Sequence, residues 1–600
     1  MRVRDATIAS PRPGLSALVA GTFDNVDVRA ESRLDRLKTI FRQTTLSVSQ
    51  RLSDQLTLKA LAGYSRSDFG NPLQATVQLD QYDVQGFRYD FSDRRRPLID
   101  FGSADLTSGA GLTLAEVRSE PNWVDNSFKT VGLDLEWMPS SVLTVRGGAQ
   151  HKVYRTDAIA KARSDGSIAN LNADIPPTLA AIPPSAYLRQ AWSDRFATAA
   201  GTPDAWLAPD VAKAFALFQT ACASGACGAL DLGPEPLLGL NYAVEEHDTS
   251  AYLQAAFAVP AMLSLHGDLG LRYAHTRQAS QGFTTDPAAP GFVAPVSATR
   301  DYDDLLPSLN LAVEPRHDLL LRFAAARVMA RPDLRSLRPG INVSTGGLRS
   351  VSSGDPFLRP ARADTLDTAL EWYFAPGAIL SAAVFHKTIH SSVQVTSTAP
   401  TVFSDNPFDL PDSIATTACG RLPGCAADLP IWQFLTRTDQ GGGHLDGIEL
   451  AFQAPLDRIR PSLRGWSVRG GVTYTRSRMR FWALDGTPFI VHDSLGSPRV
   501  VGTITTAYRR NGLDLRATLS HRGRYLTAVP APTGGDMDGV NAYTSLDLSA
   551  RYRIARGWWL TAAGGNLLDR AQRQFTDSSD LANYQHHTGR EVRLGLEARF

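Results

Sequence analysis

Over its last ten residues the chain alternates apolar and polar positions with a period of two. Val592, Leu594, Leu596, Ala598 and Phe600 fall on one face, and Glu591, Arg593, Glu597 and Arg599 on the other. A strand of about ten residues with one apolar and one polar face can cross a bilayer at a tilt, lipid on one side and water on the other. Taken alone, such a segment is more often the half-buried last strand of a soluble sandwich. What shifts the balance is recurrence. The pattern predicts strand pairs at 43–52 with 55–66, 127–138 with 141–153, 247–259 with 262–275, 303–313 with 317–330 and 364–374 with 377–390. It continues at 443–454 with 464–478, 498–509 with 511–524, 541–554 with 556–566, and 590–600 alone. Within them Leu319, Leu321, Phe323 and Ala325 alternate with Arg322, Ala324 and Ala326. Leu546, Leu548, Ala550 and Tyr552 alternate with Asp547, Ser549, Arg551 and Arg553, and Ile448, Leu450 and Phe452 with Glu449 and Gln453. Charges on the inner face imply a polar lumen rather than a packed core.

The connections are of two kinds. Partners within a pair are joined by tight turns such as Met138-Pro139-Ser140, Glu314-Pro315-Arg316, Ala375-Pro376-Gly377 and Arg510-Asn511-Gly512. Successive pairs are separated by long polar stretches, among them 67–126, 154–246, 331–363 and 391–442. Structureless loops this long argue against a compact soluble domain. Short turns on one rim and long loops on the other are the layout of a transmembrane barrel, with the long loops outside the cell. Aromatic residues gather beside the short turns: Trp137, Trp372-Tyr373-Phe374, Trp466 and Trp558-Trp559, where an interfacial girdle belongs. The fold class expected is therefore all-β, an antiparallel transmembrane β-barrel of 17–19 strands, with helix confined to the loops at 154–246 and 331–442. Val592, Leu594, Leu596, Leu546 and Leu548 are expected on its outer face.

Composition agrees. Hydrophobic residues make up 43% and the mean hydropathy is −0.17, so no stretch approaches the roughly 18 apolar residues of a membrane helix. Alternation in a barrel dilutes hydropathy in the same way. Sixty-one basic residues against 60 acidic ones leave no footprint for nucleic acid. No Gly-x-Ser-x-Gly elbow or phosphate-binding glycine loop occurs, and His586-His587, His386 and His390 form no ligand or base cluster, so no enzyme and no cofactor is expected.

Four cysteines fall in two short loops, Cys222 with Cys227 and Cys419 with Cys425. In an oxidising compartment these read as two local disulfides; reduced thiols or a metal site are the alternatives, metal being weakened by the spacing and the lack of a nearby histidine. Trp123, Trp192, Trp206 and Trp432 lie in long loops away from the girdle. Such residues either stack on a sugar ring or rigid aromatic ligand, or pack their own loop.

Several pieces in order resemble the TonB-dependent outer-membrane receptors. Gly565-Asn566-Leu567-Leu568-Asp569-Arg570 before the last strand looks like their C-terminal signature. Leu305-Leu306-Pro307-Ser308-Leu309-Asn310, Ala330-Arg331-Pro332, Gly354-Asp355-Pro356-Phe357-Leu358-Arg359-Pro360 and Leu445-Asp446-Gly447-Ile448-Glu449 agree with it. Gly63-Tyr64-Ser65-Arg66-Ser67-Asp68-Phe69 and Gly270-Leu271-Arg272-Tyr273 resemble the branch common in xanthomonads and caulobacters. Phe600 resembles the terminal residue read by the barrel-assembly machinery. The resemblance implies a Gram-negative outer-membrane location among lipid, and energy-dependent uptake of a large extracellular ligand such as an oligosaccharide or iron chelate through the TonB complex. A plug-less, porin-like channel or a non-functional truncated receptor is the alternative.

The departures carry weight. The family resembles a barrel of about 22 strands preceded by a plug, a TonB-contacting box and a signal peptide. Counting back from the C-terminus makes 43–52 the sixth strand, with 14–29 the fifth or the loop beside it. Residues 1–42 are expected to be a strand or loop remnant and 43–600 the barrel domain. Met1-Arg-Val-Arg-Asp lacks the apolar core of a secretory signal, so the start is expected to be mis-called, or the chain to be part of a split gene or a fragment.

Overall fold

In the computed structural model the described residues are 1–12, 15–93, 96–163, 169–170, 175–192, 199–227, 231–259, 264–285, 289, 293–345, 349–419, 424–483, 487–531 and 535–599. Seventeen antiparallel strands follow one another around a barrel wall, each registered with the next. They are β1 (Lys38–Arg51), β2 (Leu56–Asn71), β3 (Asn122–Ser140), β4 (Leu143–Ala162), β5 (Tyr242–Val259) and β6 (Ser264–Thr285). Next come β7 (Val293–Arg316), β8 (Leu319–Ala330), β9 (Ala361–Ala375), β10 (Ala378–Ser397), β11 (Trp432–Pro455) and β12 (Trp466–Trp482). The last are β13 (Val500–Arg510), β14 (Leu513–Arg522), β15 (Tyr543–Ala555), β16 (Trp558–Gly565) and β17 (Glu591–Ala598). All correspond to strands expected from alternation. Among the described residues, the four helical segments longer than three residues (Pro177–Ala180, Val211–Cys222, Leu334–Leu337 and Asp412–Cys419) sit inside the loops expected to hold them.

The outer face is apolar over one band. Leu253, Leu271, Leu321, Leu370, Leu450, Ile504, Leu548 and Leu560 all point away from the lumen and are exposed. Among the described residues no second sheet covers them, which excludes the sandwich. The band stops at one level. Above it the outward positions turn polar and pair across strands: His275 with Asp303 at 2.9 Å, Arg327 with Asp364 at 2.8 Å, His386 with Asp446 at 2.6 Å. Below it lie the exposed girdle residues Trp137, Trp372, Trp466 and Trp558, beside the short turns. One of these turns shows why it is tight. Asn511 and Gly512 both have positive φ, 52° and 79°, the two-residue geometry whose twist matches flanking strands.

Two features differ from expectation. The strands run on beyond the apolar band: β6 to Thr285, β7 from Val293 and β11 from Trp432. Above the band polar residues occupy both faces, so the alternation fades while the backbone ladder continues, as in Gln278 opposite Arg300 and Ser280 opposite Ala298, with Gln278 and Ser280 buried on the inner side. The N-terminal segment 14–29 is not a fifth wall strand. Leu15–Asp24 pairs with Arg2–Arg12 and Phe87–Asp90, and Val26–Asp35 pairs with Gln74–Val84, in separate small sheets. Val26–Asp35 leads straight into β1, so this region belongs to the loop side, the second of the two readings.

Among the described residues β1 is registered only with β2, and β17 only with β16. Leu594, at 80% exposure, stands further out than Leu253, at 62% in the middle of the wall.

Candidate functional site

The loops above the band build cores of their own. In the first, the sheet of Val26–Asp35, Gln74–Val84 and Thr113–Ser119 packs Val77, Leu79 and Val117 against Tyr187, Ala214 and Phe218. Phe218 lies on the helix Val211–Cys222, whose first turn is capped by Asp210 accepting from the Lys213 N–H at 3.1 Å. Tyr187 meets Phe218 edge-on at 5.4 Å, and its burial pushes the phenol up to about 12. In the second, Ile341, Val343 and Val351 pack against Phe403, Ile414, Trp432 and Phe434. Met479, Phe481, Leu526, Val529 and Phe575 form the third. The disulfides lie in the first two modules: Cys222–Cys227 at the end of one helix and Cys419–Cys425 at the end of another.

Between modules, the segment 331–360 turns inward and is tied to the wall. Arg331 donates to Thr276 Oγ1 at 2.9 Å and pairs with Asp248 at 3.0 Å and Glu246 at 3.4 Å, all on the lumen face of β5 and β6. Gln278 Nε2 donates to the Pro356 carbonyl at 2.9 Å, and Arg359 forks onto Asp439 at 2.8 and 3.0 Å. Gly354 lies so close to the Arg338 carbonyl that a Cβ there would sit 2.3 Å from the oxygen. The family-like pieces Ala330-Arg331-Pro332 and Gly354–Pro360 therefore act as fasteners of this segment. Asn566 does the same for the last loop. With φ at 48°, it accepts from the Arg570 N–H and donates to the carbonyls of Arg570 and Gly589, at 2.9, 3.0 and 3.0 Å.

A cavity of about 780 Å³ opens between the loop ends of β3 and β4 and this segment, with Arg118, Asn122, Tyr242, Arg335 and Arg338 in its lining. Arg338 is 4% exposed and its Nε has no hydrogen-bond partner. Burial first, then the neighbouring Arg335 and Arg437, pull its guanidinium down to about 10.

The four loop tryptophans do not converge. Trp123 borders the cavity. Trp192 (67% exposed) and Trp206 lie on one two-stranded ribbon, Trp192 opposite Ala205 and Trp206 opposite Ala191, and so on opposite faces. Trp432 is 0% exposed; its ring meets Phe403 edge-on at 4.9 Å and its indole N–H donates to the Ala426 carbonyl at 2.9 Å. The expectation of a ligand-stacking Trp432 is corrected, because its ring is enclosed by its own loop. Phe600 lies outside the described residues. The arginines of the cavity were missed in sequence reading, since only the fold brings Arg118 into one lining with Arg335 and Arg338, more than 200 residues further along the chain.

Comparison with known proteins places this geometry. The chain resembles the ferric-catecholate import receptor Fiu from E. coli K12, with TM-score 0.56 and 14% identity over 94% of this chain and 65% of that one. It also resembles the ferric preacinetobactin receptor BauA from Acinetobacter baumannii (TM-score 0.48, 12% identity, 93% and 63% covered). A third is the copper transporter OprC (TM-score 0.48, 11% identity, 97% and 78% covered). The chain thus spans just under two thirds of Fiu, and at these identities the likeness concerns the fold. No curated protein matches the sequence. Residues 63–567 match the family described as TonB dependent receptor-like, beta-barrel. With most of its length matched and, among the described residues, seventeen strands in one wall, the chain belongs to that family of TonB dependent receptor-like β-barrels.

Proposed function

We propose that this chain is the barrel part of a TonB-dependent receptor in a Gram-negative outer membrane, of the xanthomonad and caulobacter branch, whose plug and TonB-contacting box lie upstream. In this reading residues 1–42 are a remnant leading into the barrel domain 43–600, held in outer-membrane lipid after insertion by the barrel-assembly machinery through a signal ending at Phe600. It takes up a ligand too large for porins, an oligosaccharide or an iron chelate, and performs no enzymatic step. One observation carries the proposal: the loops are not lax tails but three packed modules around an inward-tied segment. A diffusion pore needs no such structure over its mouth. Trp123, Trp192 and Trp206 are the aromatic residues offered to the ligand.

The test is uptake by the protein restored with its upstream plug, in cells with and without the energising inner-membrane complex. Uptake is expected only with the complex. Equal uptake in both would replace the receptor by a plug-less channel.

The two disulfides are assigned a shape-holding role. Closing loops with separations of 5 and 6 residues contributes about 2 kcal/mol each in the chain-entropy picture. Mass spectrometry of unreduced peptides from exported protein should find Cys222–Cys227 and Cys419–Cys425. Free thiols or a Cys222–Cys419 link would contradict the local pairing.

A further inference from the structure

Arg338 is a charge with no partner. It is almost wholly buried, its Nε makes no hydrogen bond, and among the described residues no carboxylate lies within ion-pair distance of it. Its charged neighbours are Arg335 and Arg437, so repulsion adds to the cost of burial. A guanidinium cannot escape by losing its proton near neutral pH. Arg437 donates to Ser336 Oγ at 3.1 Å and to the Ser353 carbonyl at 2.6 Å, both neutral acceptors. The two acids in the cavity lining are engaged elsewhere. Asp333 accepts from the Ser336 N–H at 2.9 Å and its hydroxyl at 2.6 Å, and Glu120 accepts from Gln74 Nε2 at 3.0 Å. Buried charges are ordinarily paired, so the missing partner points to something the chain itself does not supply.

We propose that the cavity beside Arg338 is an oxyanion subsite, in which Arg338 and Arg335 grip a carboxylate or phosphate group of the extracellular ligand. The guanidinium fork suits either group, because both offer two oxygens to parallel N–H donors. Arg118 also lines the cavity but is already paired with Glu116 at 2.9 Å, so it shapes the field rather than supplying the grip. At about 780 Å³ the space holds one anionic arm of a ligand with its linker, while the rest of the molecule extends toward the mouth. The anion would restore to Arg338 what folding removed: a counter-charge beside a buried guanidinium.

This subsite rests on reading the loop side as the ligand-binding face, but anion binding needs no energy coupling, so the two fail separately. Energy-independent uptake would remove the receptor reading and leave the subsite standing. The experiment uses the purified full chain refolded in detergent, with sodium phosphate or sodium citrate titrated at constant ionic strength against sodium chloride. Either probe should raise the melting temperature. Phosphate alone marks a phosphate-bearing ligand, citrate alone a carboxylate-bearing one, and a response to both the shared oxyanion chemistry. Arg335→Gln, an exposed position, should weaken the apparent affinity several-fold, and Arg338→Met at least tenfold. Without anion, Arg338→Met should melt at the same or a higher temperature than the unaltered chain, because a buried unpaired charge has become apolar. A lower melting temperature for Arg338→Met would assign Arg338 a structural role and overturn the proposal. So would the absence of any anion response, or an unchanged response in Arg335→Gln and Arg338→Met.

Discussion

An arginine in place of Leu450 is expected to destabilise the inserted barrel by about 2–4 kcal/mol, the cost of a cationic side chain at mid-bilayer on the lipid face of a barrel strand. Leu450 lies on β11 between Ala382 and Val472, with Ile448 above it and Phe452 below on the same outward face. The polar border begins only at Asp446, paired with His386, and the strand ends at Pro455, so Leu450 is near mid-band. Its neighbour Glu449 faces the lumen, where Thr473 Oγ1 approaches it at 3.4 Å. Glu449→Arg should therefore cost about 0.5 kcal/mol or less, as for a surface substitution in water. Urea unfolding in lipid vesicles, followed by tryptophan fluorescence, measures both. Similar costs for the two would mean that the band does not face lipid.

Removing 398–431 and joining β10 to β11 with a short Gly-Ser linker is the second large effect. In the plug-restored receptor, uptake should fall to the level of cells without receptor, while the barrel still assembles and migrates as a heat-modifiable band. The segment is smaller than the polar stretch 391–442, because Ser391–Ser397 and Trp432–Gly442 belong to the wall strands. It supplies Phe403, Leu410, Ile414, Ala415 and Ala418 to the second loop core and nothing to the lipid band. Its loss leaves Ile341, Val343, Val351 and Phe434 without their cover, so the inward segment 331–360 loses the support of its outer side. Retained uptake would transfer ligand binding to the other two modules. Failure to assemble would show that the module props the wall.

The wall was legible because its signal is local. A strand between lipid and water must alternate, and Leu546-Asp547-Leu548-Ser549 does so whatever the rest of the chain does. The turns were legible for the same reason: Asn511-Gly512 selects a positive-φ hairpin turn from two adjacent residues. Short cysteine spacing likewise reduced the pairing to a local choice, and the structure has both local disulfides.

What the tertiary structure alone decided lies above the band. There Gln278 and Arg300 pair on a ladder that no alternation betrays, because the inner face packs on polar groups such as the Pro356 carbonyl and the contrast between faces is lost. The loop cores draw Val77, Val117 and Phe218 from segments far apart in sequence, and no period links them. Trp432 and Trp192 look alike as aromatic residues in polar loops, yet one is enclosed by Phe403 and the other stands in solvent. Arg338 is one of several arginines in a polar stretch. Only the fold buries it and sets Arg437 beside it. Alternation is enforced residue by residue by the solvent boundary and can be read along the chain. A cavity and its unpaired charge exist only once distant segments have closed around them.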